Sequence, residues 1–178
     1  MTNTTKSIPK MNETENLEDI AIDCHKLIAS QQTLLLSTAT ANGMPDISYA
    51  PFVQDQAGSF YVFVSELASH TANLLHNPQA SVMFIRPESE SHNLFARERA
   101  VFECKVKEIT HDDEVYALQL QALSTKFGKV ISLLRSLSDF HLFALIPERG
   151  RYVIGFGRAY IIDMDDGSVR PVKSKTSD

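Results

Sequence analysis

The sequence has few of the residues that mark several common classes of protein. None of its 178 residues is Trp, and only Cys24 and Cys104 are Cys. These two lie far apart without the spacing of a metal site, and two cysteines make no disulfide framework, so we expect reduced thiols. No apolar run approaches the ~20 residues of a membrane span, and the polar N-terminus lacks the apolar core of a secretory signal. We therefore predict a cytoplasmic protein with no membrane association.

Basic residues are also scarce. Lys and Arg together number 17 against 22 Asp and Glu, which gives a formal net charge of −5. Binding to a phosphate backbone requires concentrated Lys and Arg, so this balance argues against nucleic acid as a partner. With 43% hydrophobic and 22% charged residues the chain has the composition of a globular protein, and its length suits one full core. Small molecules and proteins remain as partners.

Composition divides the chain into three parts. Residues 1–15 are polar and cannot bury enough surface to offset the entropy of ordering, so we predict a disordered arm. From Leu17, apolar residues recur every three or four positions, which predicts a helix that ends near Ala29. We assign 16–163 to a single domain and 164–178 to a flexible tail.

Most of the domain has the pattern of short strands joined by tight turns. Two apolar, β-branched runs at 33–40 and 46–53 flank Asn42-Gly43, which favours a hairpin because both residues tolerate positive φ. Short strands in hairpin order with few interposed helices indicate a closed or nearly closed antiparallel barrel. The other predicted strands are 60–64, 80–85, 99–109, 140–146, 152–156 and 159–162, and the apolar face of strand 99–109 consists of Phe102, Cys104 and Val106. The predicted helices are 65–76, 112–127 and 129–137, and a turn is predicted at 147–150.

The stretch from Phe60 to Ile85 contains the candidate ligand site, because a strand there leads directly into a short helix. Ser65 is a candidate N-cap for that helix. The first turn of a helix has unpaired backbone N–H groups, and Ser69, His70 and Thr71 add side-chain donors beside them, so an anionic ligand could bind. The alternative is that Ser65 only caps the helix and the other three form a solvated face.

No motif in the sequence identifies a reaction. The sequence contains no H-E-x-x-H and no G-x-S-x-G. Gly155-x-Gly157 lacks a third glycine and a following helix, so we interpret it as a bulge or a close backbone approach. For each histidine a structural or solvated role remains the ordinary interpretation. The six are His25, His70, His76, His92, His111 and His141.

Several stretches together resemble the flavin-type split-barrel superfamily of pyridoxamine 5′-phosphate oxidase, and within it the haem-utilisation branch of HugZ and HutZ type. The stretches are SYAPF, LASH, NLLHNPQAS, LFARER and GFGRAY, and the resemblance covers Gln31 to Ile162. It implies an α+β fold, a six-stranded antiparallel Greek-key-like barrel with flanking helices. It also implies a homodimer with ligand sites between the two chains.

The resemblance further implies FMN or haem as the cofactor and names residues for it. The turn from Ser69 to Ala72 lacks the Arg or Lys that flavin-binding relatives use for the phosphate, and the tail after Tyr160 lacks the His that holds the iron in haem-degrading relatives. His70, His92 or His141 would then replace that ligand, with His70 and His92 as the metal-binding candidates. Asp139 matches the family's acidic residue, and it and His141 are the catalytic candidates. The implied cofactor-binding residues are Ser65, Ser69, His70, Thr71, Asn73, Tyr49, Pro51 and Arg158.

Three functions follow from this resemblance. The first is a haem-utilisation oxygenase that releases iron from the porphyrin. The second is a non-catalytic protein that holds haem or flavin for storage, transfer or sensing. The third is an FMN-dependent oxidoreductase acting on a small molecule. The sequence leaves open whether the chain is an enzyme.

Overall fold

A computed structural model describes residues 16–172 as eight strands and four helices. Residues 1–15, predicted to be a disordered arm, and residues 173–178 lie outside the described residues. The helices are α1 (Leu17–Ala29), α2 (Ser69–His76), α3 (Glu114–Phe127) and α4 (Val130–Arg135), and the strands are β1 (Thr33–Ala39), β2 (Pro45–Gln54), β3 (Phe60–Ser65), β4 (Gln79–Ile85), β5 (Arg99–Ile109), β6 (Phe140–Gly155), β7 (Arg158–Ile162) and β8 (Val169–Pro171).

Six of the strands close into a barrel. The sheet runs in the order β3-β2-β1-β4-β5-β6-β7-β8, all neighbours are antiparallel, and β3 also pairs with β6. The pairing of β3 with β6 removes both edges of the six-stranded part. The predicted hairpin at Asn42-Gly43 is confirmed, since Gly43 has a φ of +78° between β1 and β2. The predicted closed antiparallel barrel with flanking helices is therefore confirmed.

The barrel interior is an aromatic core. Phe52, Phe60, Phe84 and Phe102 come from four different strands, and their contacting rings lie 5.1 to 6.2 Å apart between centroids. These are tilted and edge-on contacts, the geometries that aromatic quadrupoles favour. Strand alternation puts these rings inside and leaves the intervening residues to face outward.

The first helix covers part of this core. The side chain of Asn16 accepts a hydrogen bond from the Glu18 amide and caps α1. One face of the helix then buries Ile20, Cys24 and Leu27 in the same apolar cluster as the barrel. The helix predicted from Leu17 is thus present with nearly the predicted bounds.

The predicted turn at 147–150 is wrong. β6 is one strand of 16 residues, and its register against β5 shifts between Glu103 and Cys104, so that Glu148 forms a bulge. Pro147 suggested a turn, but pairing along the whole of β5 keeps the chain extended and the bulge absorbs the irregularity. Gly150 lies where an added Cβ would come within 2.9 Å of Ile162 Cβ.

The C-terminal segment is more ordered than predicted. After β7, a turn leads into β8, whose Val169 pairs with Ile162 and is buried in the barrel cluster. Met164 packs against the same cluster. Within the segment predicted to be a flexible tail, Val169–Pro171 thus belongs to the sheet. No helix within residues 16–172 is long and apolar enough to span a membrane.

Candidate functional site

The second helix begins later than predicted, and Ser65 is not its cap. α2 starts at Ser69 with Ala68 as an N-cap that makes no side-chain hydrogen bond. Ser65 Oγ instead donates to Asp139 Oδ2 at 2.6 Å and accepts from the Leu67 amide at 3.1 Å. The residues between β3 and α2 form a separate turn, so the serine stabilises that turn and ties it to the start of β6.

The side-chain donors predicted to hold an anion are already engaged within the chain. Ser69 Oγ donates to Asp46 Oδ2 at 2.6 Å, and Asn73 Nδ2 donates to the same oxygen at 3.2 Å and to Thr38 Oγ1 at 2.9 Å. Thr71 Oγ1 donates to the Ser65 carbonyl at the end of β3 at 2.6 Å. The Asp46 carboxylate therefore accepts the hydrogen bonds of Ser69 and Asn73 that an external anion would need. Cofactor binding at this turn stays a prediction, but free side-chain donors no longer support it.

Sequence reasoning missed Asp46 because its partners on α2 lie 23 and 27 residues further along the chain. The residue opens β2 directly after a proline and a tight turn, and nothing local points to α2. Only the packing of α2 across β1 and β2 brings it there. A charged residue at the start of an otherwise apolar strand was the one available signal.

His70 lies under the first turn of α2 and is 8% exposed. Its Nδ1 lies 2.9 Å from Ser48 Oγ, and that hydroxyl donates its proton to the Leu36 carbonyl at 3.3 Å. Both contacts are satisfied at once when Nδ1 carries the proton and the Ser48 hydroxyl accepts from it, and Nε2 then carries the lone pair. This buried Nε2 has no hydrogen-bond partner within residues 16–172. Burial lowers the pKa of His70, and the nearby charge of Asp46 opposes that shift only in part.

His141 has the opposite electrostatic setting. Its Nδ1 lies 2.6 Å from Glu108 Oε1 and its Nε2 lies 2.8 Å from Glu66 Oε1. Partial burial alone would lower the pKa of His141, but the hydrogen bonds and charges of Glu108 and Glu66 outweigh it and raise the pKa. Both ring nitrogens are thus engaged, and neither is available to a metal in this arrangement.

The remaining candidates lie away from the α2 turn. Tyr49 and Pro51 are exposed on β2, and Arg158 is exposed at the start of β7. His92 is exposed in the loop before β5. Within residues 16–172 no group of three or more His, Cys, Asp and Glu side chains is arranged to hold a metal ion.

Three large apolar side chains are exposed where β5 begins and β6 ends. Leu94 and Phe95 are 58% and 92% exposed in the short 3-10 helix Leu94–Ala96, and Phe156 is 63% exposed in the turn after β6. The first residue of β5 pairs with Val153, so the chain before β5 runs beside the end of β6. We call Leu94, Phe95 and Phe156 the apolar lip.

Arg99 is the first residue of β5 and follows the 3-10 helix Leu94–Ala96 by three positions. Its Nη1 donates to the Arg97 carbonyl at 2.9 Å, and the side chain forms no ion pair within the described part of the chain. Arg97 and Arg86, by contrast, are held by Glu88 and Glu98. The segment therefore combines exposed apolar surface with one half-buried cation that lacks an internal carboxylate partner.

A closed barrel of six antiparallel strands with flanking helices, extended by two strands at one edge, defines this molecule as a split-barrel protein. The pyridoxamine 5′-phosphate oxidase family model matches residues 21–154. The chain belongs to this family, as its resemblance predicted.

Two relatives define the branch. The haem oxygenase HutZ of Vibrio cholerae is 43% identical over 136 residues, which are 76% of this chain and 77% of the relative. A crystal structure of HutZ, described as a haem storage protein, has a TM-score of 0.68 at 39% identity and covers 75% of this chain and 92% of that chain. Campylobacter jejuni ChuZ has a TM-score of 0.79 at 30% identity and covers 89% of this chain and 64% of that chain. These similarities confirm the predicted branch.

Proposed function

We propose that this chain binds haem as a homodimer and serves haem-iron utilisation. The proposal is supported by the similarity to HutZ of Vibrio cholerae, which is called a haem oxygenase and, for its crystal structure, a haem storage protein. The observation that carries it for this chain is the exposed apolar lip together with Arg99, which follows the helix of Leu94 and Phe95 closely in sequence. Haem is a large, flat, apolar ring with two carboxylates, so it suits an exposed apolar surface next to an unpaired guanidinium.

An outward-facing apolar strip on β2 supports the homodimer. Ile47 and Tyr49 lie two residues apart on the same face of the strand, and both are exposed. Met44 is exposed in the adjoining turn. Exposed apolar surface of this kind marks interaction sites, and a two-fold interface would pair each strip with the same surface of a second copy. Two chains together would also provide a more enclosed cavity for a ligand as large as haem.

His92 is the histidine best suited to hold the iron. It lies two residues before Leu94, so its imidazole belongs to the segment that carries the apolar lip, and it is exposed. His141 has both nitrogens hydrogen-bonded, and the lone pair of His70 Nε2 is buried under α2. When bound, haem supplies the iron and the redox chemistry of the group. The role of the chain's own residues is to bind its face, its carboxylates and its iron.

FMN is the less favoured cofactor. Its phosphate needs hydrogen-bond donors, preferably charged ones. The neutral side-chain donors around the start of α2 are already hydrogen-bonded to Asp46, Thr38 and a backbone carbonyl. No observation within residues 16–172 favours the flavin alternative over haem.

Absorbance titrations of the purified protein with haem and, separately, with FMN test this proposal. We expect a saturable Soret band with haem, weakened about tenfold in affinity by Phe95→Ala and altered in position by His92→Ala. Leu118→Ala and His76→Ala, at exposed positions elsewhere, are the matched controls. Tight FMN binding without a saturable haem complex would overturn the proposal.

A second measurement separates the enzyme from the binding protein. Incubating the haem complex with a reductant and oxygen, and following iron release with a ferrous chelator, detects porphyrin cleavage directly. Iron release with loss of the Soret band identifies an oxygenase. A stable complex under the same conditions identifies a protein that stores or transfers haem.

A further inference from the structure

His141 lies between two carboxylates that come from other parts of the fold. The residue is near the start of β6, Glu108 is near the end of β5, and Glu66 is in the turn between β3 and α2. Both distances, 2.6 Å to Glu108 and 2.8 Å to Glu66, are those of hydrogen bonds. The imidazole therefore joins the β3–α2 turn to β5.

This arrangement requires a charged imidazole. An ionised carboxylate has no proton to donate and can only accept hydrogen bonds, so two such partners need both ring N–H groups at once. A neutral imidazole has one N–H, and its second nitrogen would then present a lone pair to a carboxylate. Loss of the proton thus breaks one of the two bonds and turns that contact repulsive.

No other charge within the described residues substitutes for the imidazolium. The partner of His141 across β3 is Val64, which carries no charge. On β5, Lys107 is paired with Asp113 at 3.1 Å. Directly before β6, the Asp139 carboxylate accepts from Ser65. Glu66 and Glu108 are therefore the charged groups that His141 meets.

Among residues 16–172, two further hydrogen bonds hold this turn, both to Asp139 and neither to β5. The Glu66 amide donates to the Asp139 carbonyl at 2.8 Å, and Ser65 Oγ donates to the Asp139 carboxylate. Beyond them Leu67, at the tip of the turn, is 94% exposed. The link from the Glu66 carboxylate through the imidazolium is thus the attachment of this turn to β5.

We propose that His141 is a pH-dependent clamp, which ties the β3–α2 turn to β5 while the imidazole is charged and releases it as the pH rises. The sign follows from the direction of the pKa. Because Glu108 and Glu66 raise the pKa of folded His141 above the ~6.5 of an unfolded histidine, the stabilisation is fully present below pH ~6.5. It is lost as the pH rises through the higher pKa of the folded protein.

NMR titration of the intact protein tests the clamp without any ligand. We expect the ring resonances of His141 to titrate with a midpoint above pH 6.5, and the amide shifts of Glu66 and Leu67 to follow the same midpoint. Glu66→Gln and Glu108→Gln should each move the ring midpoint to lower pH. Amide shifts that ignore the His141 midpoint, or a midpoint at or below 6.5, would refute the clamp.

Two variants complete the test. His141→Gln should abolish the pH dependence of the Glu66 and Leu67 amides, whereas His76→Gln, at the end of α2, should leave it unchanged. If His141→Gln fails to fold, the wild-type and Glu66→Gln titrations still decide the matter. Haem plays no part in these measurements, so their outcome is independent of the proposed function.

Discussion

Replacing Asp46 by Ala tests whether an internal carboxylate stabilises the start of α2. The change removes the acceptor of two hydrogen bonds, from Ser69 Oγ at 2.6 Å and from Asn73 Nδ2 at 3.2 Å. Ser69 is exposed, so its hydroxyl can bond to water instead, and losing its hydrogen bond to Asp46 costs little stability. Asn73 is buried but keeps Thr38 Oγ1 as an acceptor. We expect the free energy of unfolding to fall by about 1–2 kcal/mol.

For a chain of this size that loss corresponds to a decrease in Tm of roughly 2–8 °C, which urea and thermal denaturation both resolve. Asp46→Asn is the control, since its amide oxygen still accepts and it should lose about half as much. The two variants share a second readout. Both should lower the pKa of His70 further, because they remove the charge that partly opposes the effect of burial. An Ala variant as stable as the wild type, with an unchanged His70 titration, would refute the proposed network.

Two further predictions concern the barrel. Gly150→Ala should lower the free energy of unfolding by about 1–3 kcal/mol, because its Cβ would lie 2.9 to 3.0 Å from three core side chains. Gly155→Ala is the matched control, since the nearest neighbour of its Cβ would lie at 3.7 Å. Equal losses of stability for the two variants in urea denaturation would contradict the packing argument. Burial raises the pKa of both Cys24 and Cys104 to about 12, so neither thiol should react with a maleimide at pH 8 until the protein is denatured. Rapid labelling of the native protein would show that these sites open.

The elements that could be predicted from the sequence are those specified by local patterns. The alternation of Phe102, Cys104 and Val106 predicted one buried face of β5, and all three are buried. The helix predicted to end at residue 76 does end at His76, because Pro78 disfavours the helical conformation for Asn77 just before it. In each case the signal and its effect lie within a few residues of one another.

The wrong predictions have the opposite character, because distant partners outweighed a local preference. Ser65 had the chemistry of an N-cap, but its hydroxyl donates to Asp139, 74 residues further along the chain. The candidate site shows the same limit. The carboxylates that set the charge of His141 lie 33 and 75 residues from it in sequence, so its raised pKa could only be found from the fold.

The distribution of satisfied and unsatisfied polar groups bears on the choice between haem and FMN that the proposal makes. A side chain whose donors are already bonded must break those bonds to bind a ligand, so its hydrogen bonds add little net affinity. Around α2, Ser69 and Asn73 are in that position, and the nearby Asp46 carboxylate would repel a phosphate. Arg99 has no carboxylate partner among the described residues, and the apolar lip residues Leu94 and Phe95 precede it closely in sequence. This contrast between the two places is the physical argument behind the haem binding that we propose.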